Sequence, residues 1–135
     1  MPRMLEIDPH DAVPIWKQIE DRVAQLIAQG TLKPGSAVPS VRDLAKDLVV
    51  NPATAAKAYQ HLVDGGLLVV RRGEGTYVAD APPAMQRGER SRRLREAAQK
   101  YAVTAVNLAI SAGDALDEVR TALGKFERAQ EGGRA

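Results

Sequence analysis

The 135-residue chain carries 19 Lys and Arg against 17 Asp and Glu, for a formal net charge of +2, and it has no cysteine. That length suits one ordinary domain, or a small domain of about 80 residues with a helical appendage, and leaves no room for a large catalytic domain. Without cysteine there are no disulfides or thiolate metal sites, and the two histidines, His10 and His61, lie far apart, so no metal site and no cofactor are expected.

In chain order, Leu5 and Ile7 suit a short extended lead-in ended by Pro9. Ile15, Ile19, Val23, Leu26 and Ile27 recur at helical spacing and predict a first helix from Pro14 to Gly30, where a left-handed residue would close it. Residues 31–39 hold Pro34, Gly35 and Pro39 and are expected to be a loop without regular structure. Ser40 then caps a second helix, with Asp43 standing in for a capping-box acid and Val41, Leu44, Ala45 and Leu48 facing inward. Only Val49 and Val50 separate it from Asn51, a strong N-cap, and Pro52, which suits a first helical position.

The third helix has two unlike sides. Ala55, Ala58, Tyr59, Leu62 and Gly66 share one stripe, while Ala53, Thr54, Lys57, Gln60, His61 and Asp64 share the other. Taken alone, the second stripe is what any solvated helix shows. Its setting changes the reading, because two short amphipathic helices across a tight turn make a helix-turn-helix, whose second member has the width and small side chains to enter a DNA major groove. Leu67 to Arg71 and Thr76 to Val78 follow as strands around Arg72-Gly73-Glu74-Gly75, a hairpin of the kind called a wing. The charge distribution is neutral on this question: residues 1–80 hold 9 basic and 10 acidic side chains, and residues 81–135 hold 10 and 7. Attraction to phosphate would need local placement, with Glu20 and Asp21 turned away and Arg42, Lys57, Arg71 and Arg72 turned towards it.

Pro82 and Pro83 mark a boundary between a winged helix-turn-helix domain, residues 1–80, and a helical segment, residues 81–135. Roughly Ala84 to Ala112 reads as helical until Gly113 interrupts it, and Leu116 to Ala129 as a second helix. Leu94, Ala98, Tyr101, Ala105, Leu108 and Ala109 form a stripe on the first; Leu116, Val119, Ala122, Leu123 and Phe126 form one on the second. Two helices with one apolar face each make a poor core alone, so Leu94, Tyr101, Leu108, Leu116, Val119, Leu123 and Phe126 are expected to pack on a second copy as a homodimer. The arginines at 87, 90, 92, 93 and 95 are read first as a solubilising helix surface, with DNA flanking as the sharper option. The fold class is thus mainly α with a small β-hairpin wing: a winged helix-turn-helix domain followed by a two-helix dimerisation segment.

These residues resemble a known family, the GntR-type winged-helix transcription regulators, and within it the YtrA-like subfamily. The likeness runs from Pro14 to Val78 through PIWKQIEDRVAQLIAQGTLKPGSAVPSVRDLA, VNPATAAKAYQHLVDGGLL and RRGEGTYV, with NPATAAKAY pointing to the YtrA-like branch. It implies that Arg42, Asn51, Ala53, Thr54, Lys57 and Gly73 contact DNA. Pro52 and Ala56 depart from the pattern, since many relatives carry arginines there. The short tail is similar to the subfamily's two-helix dimerisation segment. The resemblance also implies a repressor of an operon for an ATP-driven membrane transporter, and of its own gene.

The expected partner is therefore double-stranded operator DNA with inverted half-sites, bound by a homodimer. Arg42, Lys57, Arg71 and Arg72 would hold phosphates, Thr54 and Lys57 would reach base edges with His61 as a further candidate, and Gly73 would let the wing approach closely. The alternative is a winged-helix module that docks a protein on the same face. Enzyme activity ranks last, because no nucleophile with a base is visible and Gly73-Glu74-Gly75 lacks the lysine and spacing of a phosphate loop. A groove around Tyr101 and Phe126 is a candidate site for an unidentified small-molecule effector, though with so few aromatics in the chain these two are read first as interface packing. With no apolar run near 20 residues and no apolar leader, no membrane partner is expected and the chain is placed in the cytoplasm.

Overall fold

The computed structural model describes residues 5–80 and 88–133. The chain divides into two compact units, Met1–Pro83 and Ala84–Ala135. The first comprises α1 (Ile15–Ala28), β1 (Ala37–Val38), α2 (Val41–Leu48), α3 (Pro52–Asp64), β2 (Leu68–Arg71) and β3 (Gly75–Val78); the second comprises α4 (Glu89–Asn107) and α5 (Ala112–Gly133).

Local chemistry sets the helix boundaries in the first unit. The Ser40 hydroxyl accepts from the Asp43 N–H at 3.0 Å, and the Asn51 carboxamide oxygen accepts from the Ala53 N–H at 2.8 Å. Both α2 and α3 end in the same closing turn. The residue in left-handed conformation is Val49 after α2, with φ 55°, and Gly66 after α3, with φ 80°. Each is followed by a residue whose N–H returns to the helix, Val50 to the Ala45 carbonyl at 3.0 Å and Leu67 to that of Leu62 at 2.9 Å.

The apolar stripes of the three helices converge on one core. Ile19, Val23 and Leu26 enter it from α1, Leu44, Ala45 and Leu48 from α2, and Ala55, Ala58, Tyr59 and Leu62 from α3, with Leu5, Leu68 and Val78 closing it. The buried Tyr59 hydroxyl donates to the Pro39 carbonyl at 2.7 Å, tying α3 to the approach to α2; burial pushes this phenol above its ordinary pKa. The lead-in contributes Leu5 to the core, and Gln18 anchors it by accepting from the Asp8 N–H and donating to the carbonyls of Asp8 and Val13.

Residues 31–39 are not wholly irregular as the sequence suggested. Ala37 and Val38 form β1, which pairs antiparallel with β3 as Ala37↔Tyr77 and Val38↔Thr76, giving a three-stranded sheet in the order β1-β3-β2. The hairpin pairs Leu68↔Val78 through Arg71↔Gly75, so its tip is Arg72-Gly73-Glu74 and Gly75 already belongs to β3.

The second unit corrects the expected break. Gly113 is the second residue of α5, and the chain turns at 108–111, where Ala109 takes φ 57° and the Ile110 N–H returns to the Ala105 carbonyl at 2.9 Å. Ser111 caps α5 by accepting from the Asp114 N–H at 3.1 Å. Leu108 and Ala109 therefore lie in the turn rather than on the α4 stripe. Tyr101 joins the two helices, its hydroxyl donating to the Ala115 carbonyl at 2.7 Å. Among the described residues no helix is long and apolar enough to cross a membrane, and no cluster of His, Cys, Asp or Glu is placed to hold a metal ion.

Candidate nucleic-acid interface

The surface that the sequence singles out is the outer side of α3, with α2 before it and the wing after it. Asn51 is exposed at the start of α3 with its oxygen committed to the cap; Ala53 is exposed beside it and Thr54 half-buried. The opening turn of α3 thus presents backbone and small side chains, a surface that another molecule can approach closely. Arg42 on α2 is exposed and shares a shallow depression with Lys46, Val49 and Pro52, bringing two cations beside that opening. Arg42 and Lys46 have no ion-pair partner among the described residues.

Lys57 and His61, on the outer stripe of α3, both pack against Trp16. The Lys57 ammonium rests 4.4 Å from the centroid of the Trp16 ring on α1, and the His61 ring lies 4.7 Å from the same indole at 51°. His61 Nδ1 is also 3.5 Å from Glu20 Oε2. Glu20 is therefore not turned away from the α3 surface: it packs under it, with Lys17 3.7 Å from the same oxygen. A hydrogen bond from Lys17 to Asp21, at 3.1 Å, holds that ammonium above its ordinary pKa.

On the wing, Arg71 is partly engaged by its own hairpin. Its guanidinium lies 4.4 Å above the Tyr77 ring and 3.5 Å from Asp80 Oδ2. Arg72, one residue on, is exposed at the tip with no ion pair among the described residues. Gly73 has φ 75°, and a Cβ there would meet no atom within 4 Å, so its glycine is required by backbone conformation and not by crowding.

In the second unit, Arg92 pairs with Glu89 and Glu96, and Arg93 with Glu89. Hydrogen bonds from Arg92 and Arg93 hold the Glu89 carboxyl down to about 2. Those two arginines are internally neutralised, which favours the surface reading; Arg90 and Arg95 are exposed, and Arg87 lies outside the described residues. Leu94, Tyr101, Leu108, Leu116, Val119 and Leu123 are all exposed apolar side chains, and Phe126 is half-buried. The Tyr101 hydroxyl is occupied by the Ala115 carbonyl.

Trp16 was not among the residues singled out in the sequence and Glu20 was named there only as an acid turned away from phosphate; Lys46 and Tyr77 were not singled out either. A signal for the first two was present: Trp16 and Glu20 are spaced i, i+4 on one helix, as Lys57 and His61 are on another.

Comparison with known proteins agrees with this geometry. The family model for bacterial regulatory proteins of the gntR family matches residues 16–78, the span from α1 to the end of the wing. The solved YtrA from Sulfolobus acidocaldarius, a GntR-family transcription factor, is 36% identical over 90% of this chain and 97% of that one, with a TM-score of 0.57. The chain belongs to the gntR family. Within that family it is YtrA-like, being 42% identical to the HTH-type transcriptional repressor YtrA of Bacillus subtilis over 57% of its length. It spans 59% of that repressor. A third likeness is to the DNA-binding domain of AraR solved in complex with operator ORX1, at 31% identity over 56% of this chain and 93% of that one, with a TM-score of 0.50. These relatives are regulators of transcription and not enzymes.

Proposed function

We propose that the chain is a sequence-specific DNA-binding repressor, in which residues 1–80 bind an operator and residues 81–135 pair two copies. The observation that carries this reading is the exposed, small-residue opening of α3, flanked by Arg42 and Lys46 of α2, on a domain of the type seen on operator DNA in AraR. A helix with that profile fits a major groove, and the Arg72-Gly73 tip suits the backbone beside it. Arg42 and Arg72 hold phosphates, and Asn51, Ala53 and Thr54 lie against the groove.

The homodimer reading draws on the second unit. Leu94, Leu108, Leu116 and Leu123 each expose more than half their surface, between 56% and 73%, which a second copy would cover. Two-fold pairing would present two α3 helices to successive major grooves of an inverted repeat. Likeness to YtrA supports the operon of an ATP-driven transporter, and the protein's own gene, as the regulated targets. A small-molecule effector is a further partner in this reading.

Gel retardation tests the reading with the promoter fragments upstream of the protein's own gene and its neighbours. Retention of one fragment against excess unrelated duplex is expected, and equal retention of every fragment contradicts specific binding. Sedimentation of Leu94→Glu and Leu123→Glu variants tests the pairing: they should run as monomers where the parent runs as a dimer.

A further inference from the structure

The seam between α1 and α3 holds the most elaborate side-chain cluster of the first unit. Trp16 and Glu20 of α1 meet Lys57 and His61 of α3, each pair spaced i, i+4 so that both members share one face. The indole takes the Lys57 ammonium at 4.4 Å and the His61 ring at 4.7 Å. Beneath them Glu20 Oε2 is buried without a hydrogen-bond partner among the described residues, held at ion-pair distance by His61 Nδ1 at 3.5 Å and Lys17 Nζ at 3.7 Å.

This arrangement decides what Lys57 can do. An ammonium over an indole face is attracted to it and gives up part of the freedom of a four-carbon stem, yet its donors on the solvent side stay open. Such a group is a fixed point charge at the edge of α3. It lacks the planar fork that reads a base edge bidentately, and a point charge suits a phosphate. A carboxylate this close would oppose a phosphate if it stood alone, but Glu20 Oε2 lies 3.7 Å from the Lys17 ammonium and is buried beneath the seam. We propose that Lys57 holds a DNA phosphate at the α1–α3 seam, with Trp16 as the positioning residue that keeps it there. The proposal rests on the DNA-binding reading above; of the two roles the sequence left open to Lys57 it keeps the phosphate contact and drops the base edge, and it adds Trp16 as the residue that positions it.

The test uses full-length protein and two duplexes: one enriched by the parent from a randomised pool, and a scrambled version of it. Affinity is measured over a range of salt for the parent, Lys57→Ala, Trp16→Leu, Trp16→Phe and the double variants. Lys57→Ala should weaken both duplexes by the same factor and lower the salt slope by about 1.8, one phosphate for each copy in the pair, so that a fourfold rise in salt narrows its gap from the parent by about 12-fold. Trp16→Leu should weaken binding about five- to thirtyfold, matching the strength of two exposed cation–π contacts, one in each copy, and Trp16→Phe should recover part of that. In the Lys57→Ala background neither Trp16 change should matter, because a positioning residue acts only through the group it positions.

An unchanged salt slope with altered preference at one operator position overturns the phosphate contact. A Trp16 penalty that persists undiminished without Lys57 overturns the positioning role, since it then acts through the fold. If Trp16→Leu melts below the assay temperature, the Trp16→Phe cycle decides alone. A parent that binds both duplexes equally contradicts specific recognition, while slope and coupling are still read on the scrambled duplex; a parent that binds neither overturns both readings.

Discussion

Val49, in the turn between α2 and α3, offers a stability test whose sign runs against intuition. It is a β-branched residue at φ 55°, and 84% of its surface is exposed. A left-handed conformation costs an L-residue roughly 1–2 kcal/mol, from crowding between Cβ and the following carbonyl. Replacing it by glycine removes that strain and gives up little buried area, but adds about 0.5–1 kcal/mol of chain entropy to the unfolded state. The net expectation for Val49→Gly is a stabilisation of roughly 0.5–1 kcal/mol. For a unit of this size that is a rise in Tm of about 2–8 °C. Gly66 occupies the equivalent position after α3 with φ 80°, so the fold already uses glycine in this geometry. Val49→Ala is the control, since it keeps the Cβ and with it the strain, and its Tm should stay near the parent's. The assay is thermal unfolding by circular dichroism at matched protein concentration. A glycine variant that melts at or below the alanine variant refutes the strain argument.

Other expected outcomes follow from single contacts. Asn51→Ala removes the cap on the Ala53 N–H and should lower stability by about 1 kcal/mol, which Asn51→Asp or Asn51→Ser restores, as read by urea unfolding. Arg72→Ala should weaken all duplexes alike and reduce the salt slope by about 1.8, one phosphate for each copy in the pair; an unchanged slope would remove Arg72 from the phosphate contacts. Glu89, held down to about 2 by Arg92 and Arg93, should show a carboxyl titration midpoint near that value by NMR, and a midpoint near the ordinary 4.5 would mean that its pairs do not persist in solution. Because its folded value is depressed, whatever the pairs add to α4 is present above the unfolded value and is lost as pH falls towards 2. Glu89→Gln should nevertheless change the melting of the protein little, since exposed pairs stabilise weakly.

The features legible in the sequence were those fixed by local chemistry. Ser40 and Asn51 announced their helices because a cap needs only its own next turn, and the stripes on α1, α2 and α3 named the core because every member shares one helix face. β1 was not legible: a two-residue strand exists only because β3 lies beside it, and prolines at 34 and 39 outweighed any local signal. The break in the second unit was misplaced for a related reason. Gly113 was read by its low helix propensity, while the pattern Ser111-x-x-Asp114, which starts a helix, carried the information; a glycine in a first turn is easily tolerated. At the candidate site the outer stripe gave the exposed face of α3, but its period could not show that α1 brings Trp16 and Glu20 against Lys57 and His61. That contact joins residues about 40 positions apart, and only the packed structure supplies it.

The account stands most directly on one ratio. Fluorescence anisotropy with a duplex selected by the protein from a randomised pool, against a scrambled duplex at physiological salt, should give a preference of about 10³ or more, with the selected sequence an inverted repeat. A preference near one, or a selected sequence without two related half-sites, would contradict it.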